Sequence, residues 1–143
     1  MKAATGNAML MNIIIVFLVI VMALLVTSIS YTKAFRIKNR LVDIIEYYNG
    51  NFDDDVTKAN ITNEINNSLS SVGYRLSGSK KCKEIDNKKA IELASNYQVC
   101  IYEYDDSTRG KYYKVIAYMY FDVPVVGGIL NIPVSGETKV FYD

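Results

Sequence analysis

From Ala8 to Val26 the chain is apolar at every position except Asn12, and Thr27 to Ile29 extend the run. A helix of this length reaches roughly the ~30 Å of a bilayer's hydrocarbon core. The pattern then changes without a break. Tyr31 to Tyr48 contains neither Gly nor Pro, and Ile37, Leu41, Ile44, Ile45 and Tyr48 recur along one helical stripe. The two stretches predict one helix of about 40 residues, ~60 Å long, apolar in its first half and amphipathic in its second. Asn49-Gly50-Asn51 is its stop signal.

Ile61, Ile65 and Leu69 predict a second, shorter helix, with Thr57 or Asn60 as its cap and Gly73 at its end. Ser77 to Lys83 reads as a polar, basic loop containing Cys82, and Asp86 to Asn96 as a short helix carrying Ala90, Ile91 and Leu93. From Gln98 the period is that of strands. Val99 to Tyr104 alternates, Asp105 to Gly110 is a turn, and Lys111 to Val123 is rich in Tyr, Val, Ile and Phe, which predicts a hairpin. In its second strand Tyr113, Val115, Ala117, Met119, Phe121 and Val123 share the face assigned to the core. Tyr112, Lys114, Ile116, Tyr118, Tyr120 and Asp122 share the other. Pro124 and Gly127-Gly128 break the strand, and Ile132 to Tyr142 supplies a last one, interrupted at Ser135-Gly136. The expected fold class is α+β, a long N-terminal helix packed on a small antiparallel sheet.

Beyond the apolar segment about 110 residues remain, enough for one compact domain. The 16 basic and 15 acidic residues nearly cancel, which argues against a nucleic-acid partner. Histidine is absent, and with it the commonest general base and metal ligand. There is no phosphate loop, nucleophile elbow or paired metal-ligand motif, so neither an enzyme nor a cofactor is expected. Asp53-Asp54-Asp55 lacks the spaced ligands and glycine of a calcium loop and reads as a solvated acidic stretch beside a helix N-terminus. The Tyr-rich strand face offers stacking surface for a sugar or base, though tyrosines bridging sheet and solvent are ordinary in small sheets.

The apolar segment is too long and too uniform to be buried by so small a domain. A cleaved secretory signal is its rival, with Ser28-Ile29-Ser30 as a cleavage site, but the run exceeds the ~7–15 apolar residues usual for a signal. Lys33, Arg36, Lys38 and Arg40 crowd the far flank and by the positive-inside rule would keep the domain in the cytoplasm. Cys82 and Cys100, the only cysteines, argue the opposite, because a pair in a small domain is most simply a disulfide formed in an oxidising compartment. Two free buried thiols are the alternative, and a structural zinc site would need more ligands.

A long helix, apolar then amphipathic, on a sheet bearing a cysteine pair resembles the type IV pilins and pseudopilins. Met1-Lys2-Ala3-Ala4-Thr5-Gly6 resembles the short basic leader ending in Gly that prepilin peptidase removes, with Asn7-Ala8-Met9-Leu10-Met11 as the mature start. Gly6-Asn7-Ala8 directly before the apolar run is similar to the start of TadE/TadF-type pseudopilins of the tight-adherence system. The chain departs from the family at the fifth mature position, where Met11 replaces a Glu that neutralises a neighbouring subunit's amine. The resemblance therefore implies a minor or tip subunit. It implies processing at Gly6 and Asn7, and assembly with other pilin-like subunits and the pilus machinery through Met9, Met11, Asn12 and Phe17. It further implies residues 1–6 as leader, 7–30 as transmembrane helix, 31–49 as its amphipathic continuation and 50–143 as an extracytoplasmic domain at the cell surface or in a pilus. Without the resemblance, the same residues describe an anchored extracytoplasmic accessory domain or, on the flanking charges alone, a cytoplasm-facing anchor.

Overall fold

A computed structural model of the chain describes residues 2–74, 81–95, 97–108, 110–123 and 128–142; side chains 2–4 and 119–131 lie outside the description. Helix α1, Lys2–Tyr47, is continuous over 46 residues, which is about 70 Å. Its change of character is real in three dimensions. From Thr5 to Ile29 no side chain is buried, whereas Ala34, Ile37, Leu41, Ile44 and Ile45 are almost wholly enclosed. The helix ends where the sequence places its stop, with Asn49 and Gly50 both left-handed at φ 51° and 62°.

Helix α2, Asp55–Val72, returns along α1, bringing Leu69 and Val72 beside Ile37 and Arg36. Gly73 closes it in the left-handed conformation as expected. The cap is neither Thr57 nor Asn60. It is Asp54, whose carboxylate accepts bonds from the Thr57 amide at 3.0 Å and the Thr57 hydroxyl at 2.6 Å. Thr57 thus fills the third helical position and donates to the cap. These bonds, led by the hydroxyl, hold the Asp54 carboxyl below its ordinary value of 3.8. A depressed carboxyl stabilises the fold above its unfolded pKa and loses that contribution as pH falls through the folded one. Asp54→Asn, which still caps, is expected to leave stability at pH 7 nearly unchanged and to weaken its loss below pH 4. Thermal melts of both proteins at neutral and acid pH check this.

Strands β1 (Val99–Asp106), β2 (Gly110–Val123) and β3 (Gly128–Glu137) form an antiparallel meander in that order. The first hairpin is tighter than the sequence suggests: Asp106 pairs with Gly110. Tyr113, Val115 and Ala117 face the core with Ile101 and the α1 and α2 stripes, as predicted; the side chains of Met119, Phe121 and Val123 lie outside the described residues. β3 begins at Gly128 and runs through Ser135-Gly136 without interruption. The stem of Lys38 lies directly on Gly136, where a Cβ would stand 2.7 Å from the Lys38 Cδ and displace that flexible side chain. The chain then leaves the sheet, and Phe141 rejoins it through two backbone bonds with Lys111. Pro124 and Gly127, expected to break the strand, fall outside the described residues.

The predicted helix over Asp86–Asn96 does not form. Asp86 and Asn87 adopt left-handed φ values of 52° and 59° and turn the chain between Ile85 and Lys88. The segment then crosses the edge strand β1, where the Ile91 amide donates to the Ile101 carbonyl at 2.8 Å. Ala90 packs on one face of the sheet, Ile91 and Leu93 on the other. Tertiary demand for a cover over β1 has overridden a weak local helical pattern.

Candidate functional site

The first half of α1 is a continuous apolar surface. Met9 is 70% exposed, Met11 65% and Phe17 62%, and Asn12 is also exposed. The helix is long and apolar enough to cross a bilayer. Each large apolar side chain left in water forgoes about 1.5–3 kcal/mol, so this surface requires an apolar medium or partner helices. Gly6 and Asn7 lie inside α1, and the space around Gly6 is empty to 4 Å.

Where the apolar surface ends, the residue types change within two turns. Tyr31 and Phe35 stack with ring centroids 6.4 Å apart, both well exposed, and the Lys38 ammonium lies 4.3 Å from the Phe35 ring centre. Lys33, Arg36 and Arg40 project beside them into solvent. Arg40 reaches Glu64 only at 4.0 Å with both side chains largely exposed, so the pair adds little stability. Aromatic rings followed by a basic collar suit the boundary between hydrocarbon and water.

Cys82 and Cys100 form a disulfide with Cα atoms 5.7 Å apart. It ties the segment before β1 to the sheet face opposite the main core. That face is not simply a solvated tyrosine surface. Cys100, Tyr102 and Ile116 are buried there beneath Cys82, Ile85 and Ala90. Tyr102 donates to the Lys83 carbonyl at 2.5 Å, Tyr104 donates to the Asp86 carboxylate at 2.9 Å, and Tyr104 stacks on Tyr112 at 5.2 Å. Of the β2 tyrosines on this face, Tyr112 stacks on Tyr104 and Tyr118 packs against the cluster of Cys100, Tyr102 and Ile116; the Tyr120 side chain is outside the described residues.

Desolvation, and then the neighbouring Asp86, push the Tyr104 hydroxyl from its ordinary 10.0 up to about 12. A raised pKa in the fold stabilises it fully below the unfolded value and ceases to as pH climbs through the folded one. Stability is therefore expected to fall between pH 10 and 12, and to fall less steeply in Asp86→Asn. Urea midpoints across that range test the sign.

Two long-range contacts have no local sequence signal. The β1–β2 ladder runs as far as Val99 with Ala117, and at the next position of β2 the Tyr74 hydroxyl accepts from the Tyr118 amide at 2.7 Å and donates to the Tyr118 carbonyl at 2.9 Å. The Tyr113 hydroxyl donates to the Gly50 carbonyl at 2.6 Å, pinning the end of α1 to β2. Between α1 and α2, Ile37, Leu41, Leu69 and Val72 line a cleft of about 20 Å³, room for little more than one water. Among the described residues no three His, Cys, Asp or Glu side chains converge as metal ligands.

No protein-family model, curated protein or solved structure matches this chain.

Proposed function

We propose that the chain is a membrane-anchored structural subunit of the minor pilin or pseudopilin kind, with its disulfide-bearing domain outside the cytoplasm. The observation that carries this reading is the division of α1: one unbroken helix, naked and apolar over its first half and locked to the sheet over its second. A rigid helix of that form transmits the position of its apolar half directly to the domain. It can pack against like helices through Ile, Val, Leu and Met surface, with Asn12 as the one polar contact available. The disulfide supports an oxidising compartment for the domain, against the orientation suggested by the basic collar.

Met11 favours a second reading, an anchored extracytoplasmic accessory domain that never enters a filament. N-terminal sequencing and intact mass of protein from its native membranes test the first. A mature start at Asn7, lost on Gly6→Ile, is the expected result. An intact Met1 in a host with active prepilin peptidase counts against processing, and absence of the chain from sheared, sedimented filaments favours the second reading.

A further inference from the structure

Strand β2 outruns β1. The β1–β2 ladder ends at Val99 and Ala117, whereas β2 and β3 continue through six further pairs, from Tyr118 with Pro133 to Val123 with Gly128. Among the described strands, β2 and β3 therefore extend beyond β1 as a two-stranded ribbon. Such ribbons are marginal in water on their own. This one carries Met119, Phe121, Val123, Ile129, Leu130 and Ile132, with Asp122 as its only charge.

The direction of the ribbon follows from contacts with α1. The Lys139 amide donates to Glu46, and Gly136 rests on the Lys38 stem. Going back along the chain from Lys139 to Gly136 thus descends α1 from Glu46 to Lys38, toward its apolar half. β3 continues from Gly136 back to Gly128, a run of about 26 Å. From Lys38 to Ser28, where the apolar segment ends, is about 15 Å of helix. The ribbon has the length to reach that level, where Tyr31, Phe35, Lys33 and Arg36 already form an interfacial pattern.

We infer that the β2–β3 ribbon is a second membrane contact, its paired apolar strands meeting the interfacial layer of the same bilayer that α1 crosses. Attachment at two points restricts rotation of the domain about the helix. The inference rests on the anchoring part of the reading above and is independent of filament assembly.

The chain has no Trp, so single-Trp variants report one site each. Phe17→Trp samples the span, Ile132→Trp the ribbon, and Ser107→Trp the β1–β2 turn at the opposite end of the sheet. The full chain is reconstituted in vesicles of phosphatidylcholine and phosphatidylglycerol with acyl chains brominated either near the glycerol or at mid-chain. Phe17→Trp is expected to lose most of its emission to mid-chain bromine and Ile132→Trp to bromine near the glycerol, with Ser107→Trp unaffected by either. Ile132→Trp as insensitive as Ser107→Trp, with Phe17→Trp quenched, overturns the ribbon contact and leaves the anchor standing. An unquenched Phe17→Trp removes both. Emission from Ile132→Trp that shifts with the protein-to-lipid ratio but ignores bromine assigns the ribbon to a second copy of the chain and overturns the proposal. Pro133→Trp, one position along β3, repeats the measurement if Ile132→Trp fails to fold.

Discussion

Cys82→Ser combined with Cys100→Ala is expected to cost the domain about 3 kcal/mol, the value for closing a loop of this size in the unfolded chain. The bridged residues are 18 apart in sequence. For a domain of about 100 residues that loss lowers the melting temperature by on the order of 10–20 °C. The effect is not spread evenly. The bridge holds the segment that covers Cys100, Tyr102 and Ile116, whose other attachments among the described residues include the Ile85–Lys88 turn, the Tyr102 bond to Lys83, the Tyr104 bond to Asp86 and the Ile91 bond to β1. Hydrogen exchange is expected to accelerate first in residues 81–91 and at the Tyr102 and Tyr104 amides, with the buried half of α1 the last to respond. Wild-type protein in reductant reproduces the double variant. An unchanged urea midpoint in both would mean that packing alone retains the cover.

Gly50→Ala is expected to be comparably damaging, about 2–5 kcal/mol, for reasons unrelated to the hydrophobic stripe. A left-handed Ala costs about 1–2 kcal/mol, and Gly50 holds φ 62°. The new methyl group would also collide with the Tyr113 ring. That ring cannot retreat. It is fully buried between Phe52 and Phe141, and its hydroxyl is bonded to the carbonyl of Gly50 itself. Overpacking of this kind adds about 1–3 kcal/mol. Asn49→Ala provides the control, since Asn49 is left-handed yet exposed; it is expected to lose no more than about 1 kcal/mol. Gly50→Ala in a Tyr113→Leu background should cost less than in the wild type, because the ring it strikes is gone. Urea denaturation of the four proteins yields the coupling directly.

Both sites show where sequence reading works and where it stops. Gly50 is legible as a helix stop because left-handed closure is a local property of Asn-Gly. Its collision with Tyr113 is not, because the two residues meet only when β2 is laid on the end of α1. The Asp54 cap is local too, because Asp-x-x-Thr is a recognisable capping spacing that competes in the sequence with Thr57 and Asn60. The helix expected at 86–96 failed for a different reason. Ala90, Ile91 and Leu93 are apolar at positions that suit one helical turn equally well as a chain wrapping a strand edge, and only the presence of β1 selects the second. Nothing in the local pattern of the tyrosine face signals that residues near Cys82 will cover it.

The opening run of apolar residues, its continuation into the Ile37-to-Ile45 stripe, and the hairpin at Val99 to Val123 were determined by sequence alone. Each is a periodic or compositional property that burial and backbone geometry impose on near neighbours. Tertiary structure decided what lies on what: which segment covers the second face of the sheet, that the Tyr74 hydroxyl bonds β2 at Tyr118, and that Gly136 and Lys139 lie along α1 at Lys38 and Glu46. Those outcomes depend on contacts between residues far apart in sequence, such as Tyr74 with Tyr118, 44 positions apart, and Glu46 with Lys139, 93 positions apart. Such contacts arise only after the helix and sheet have docked, and no local pattern carries them.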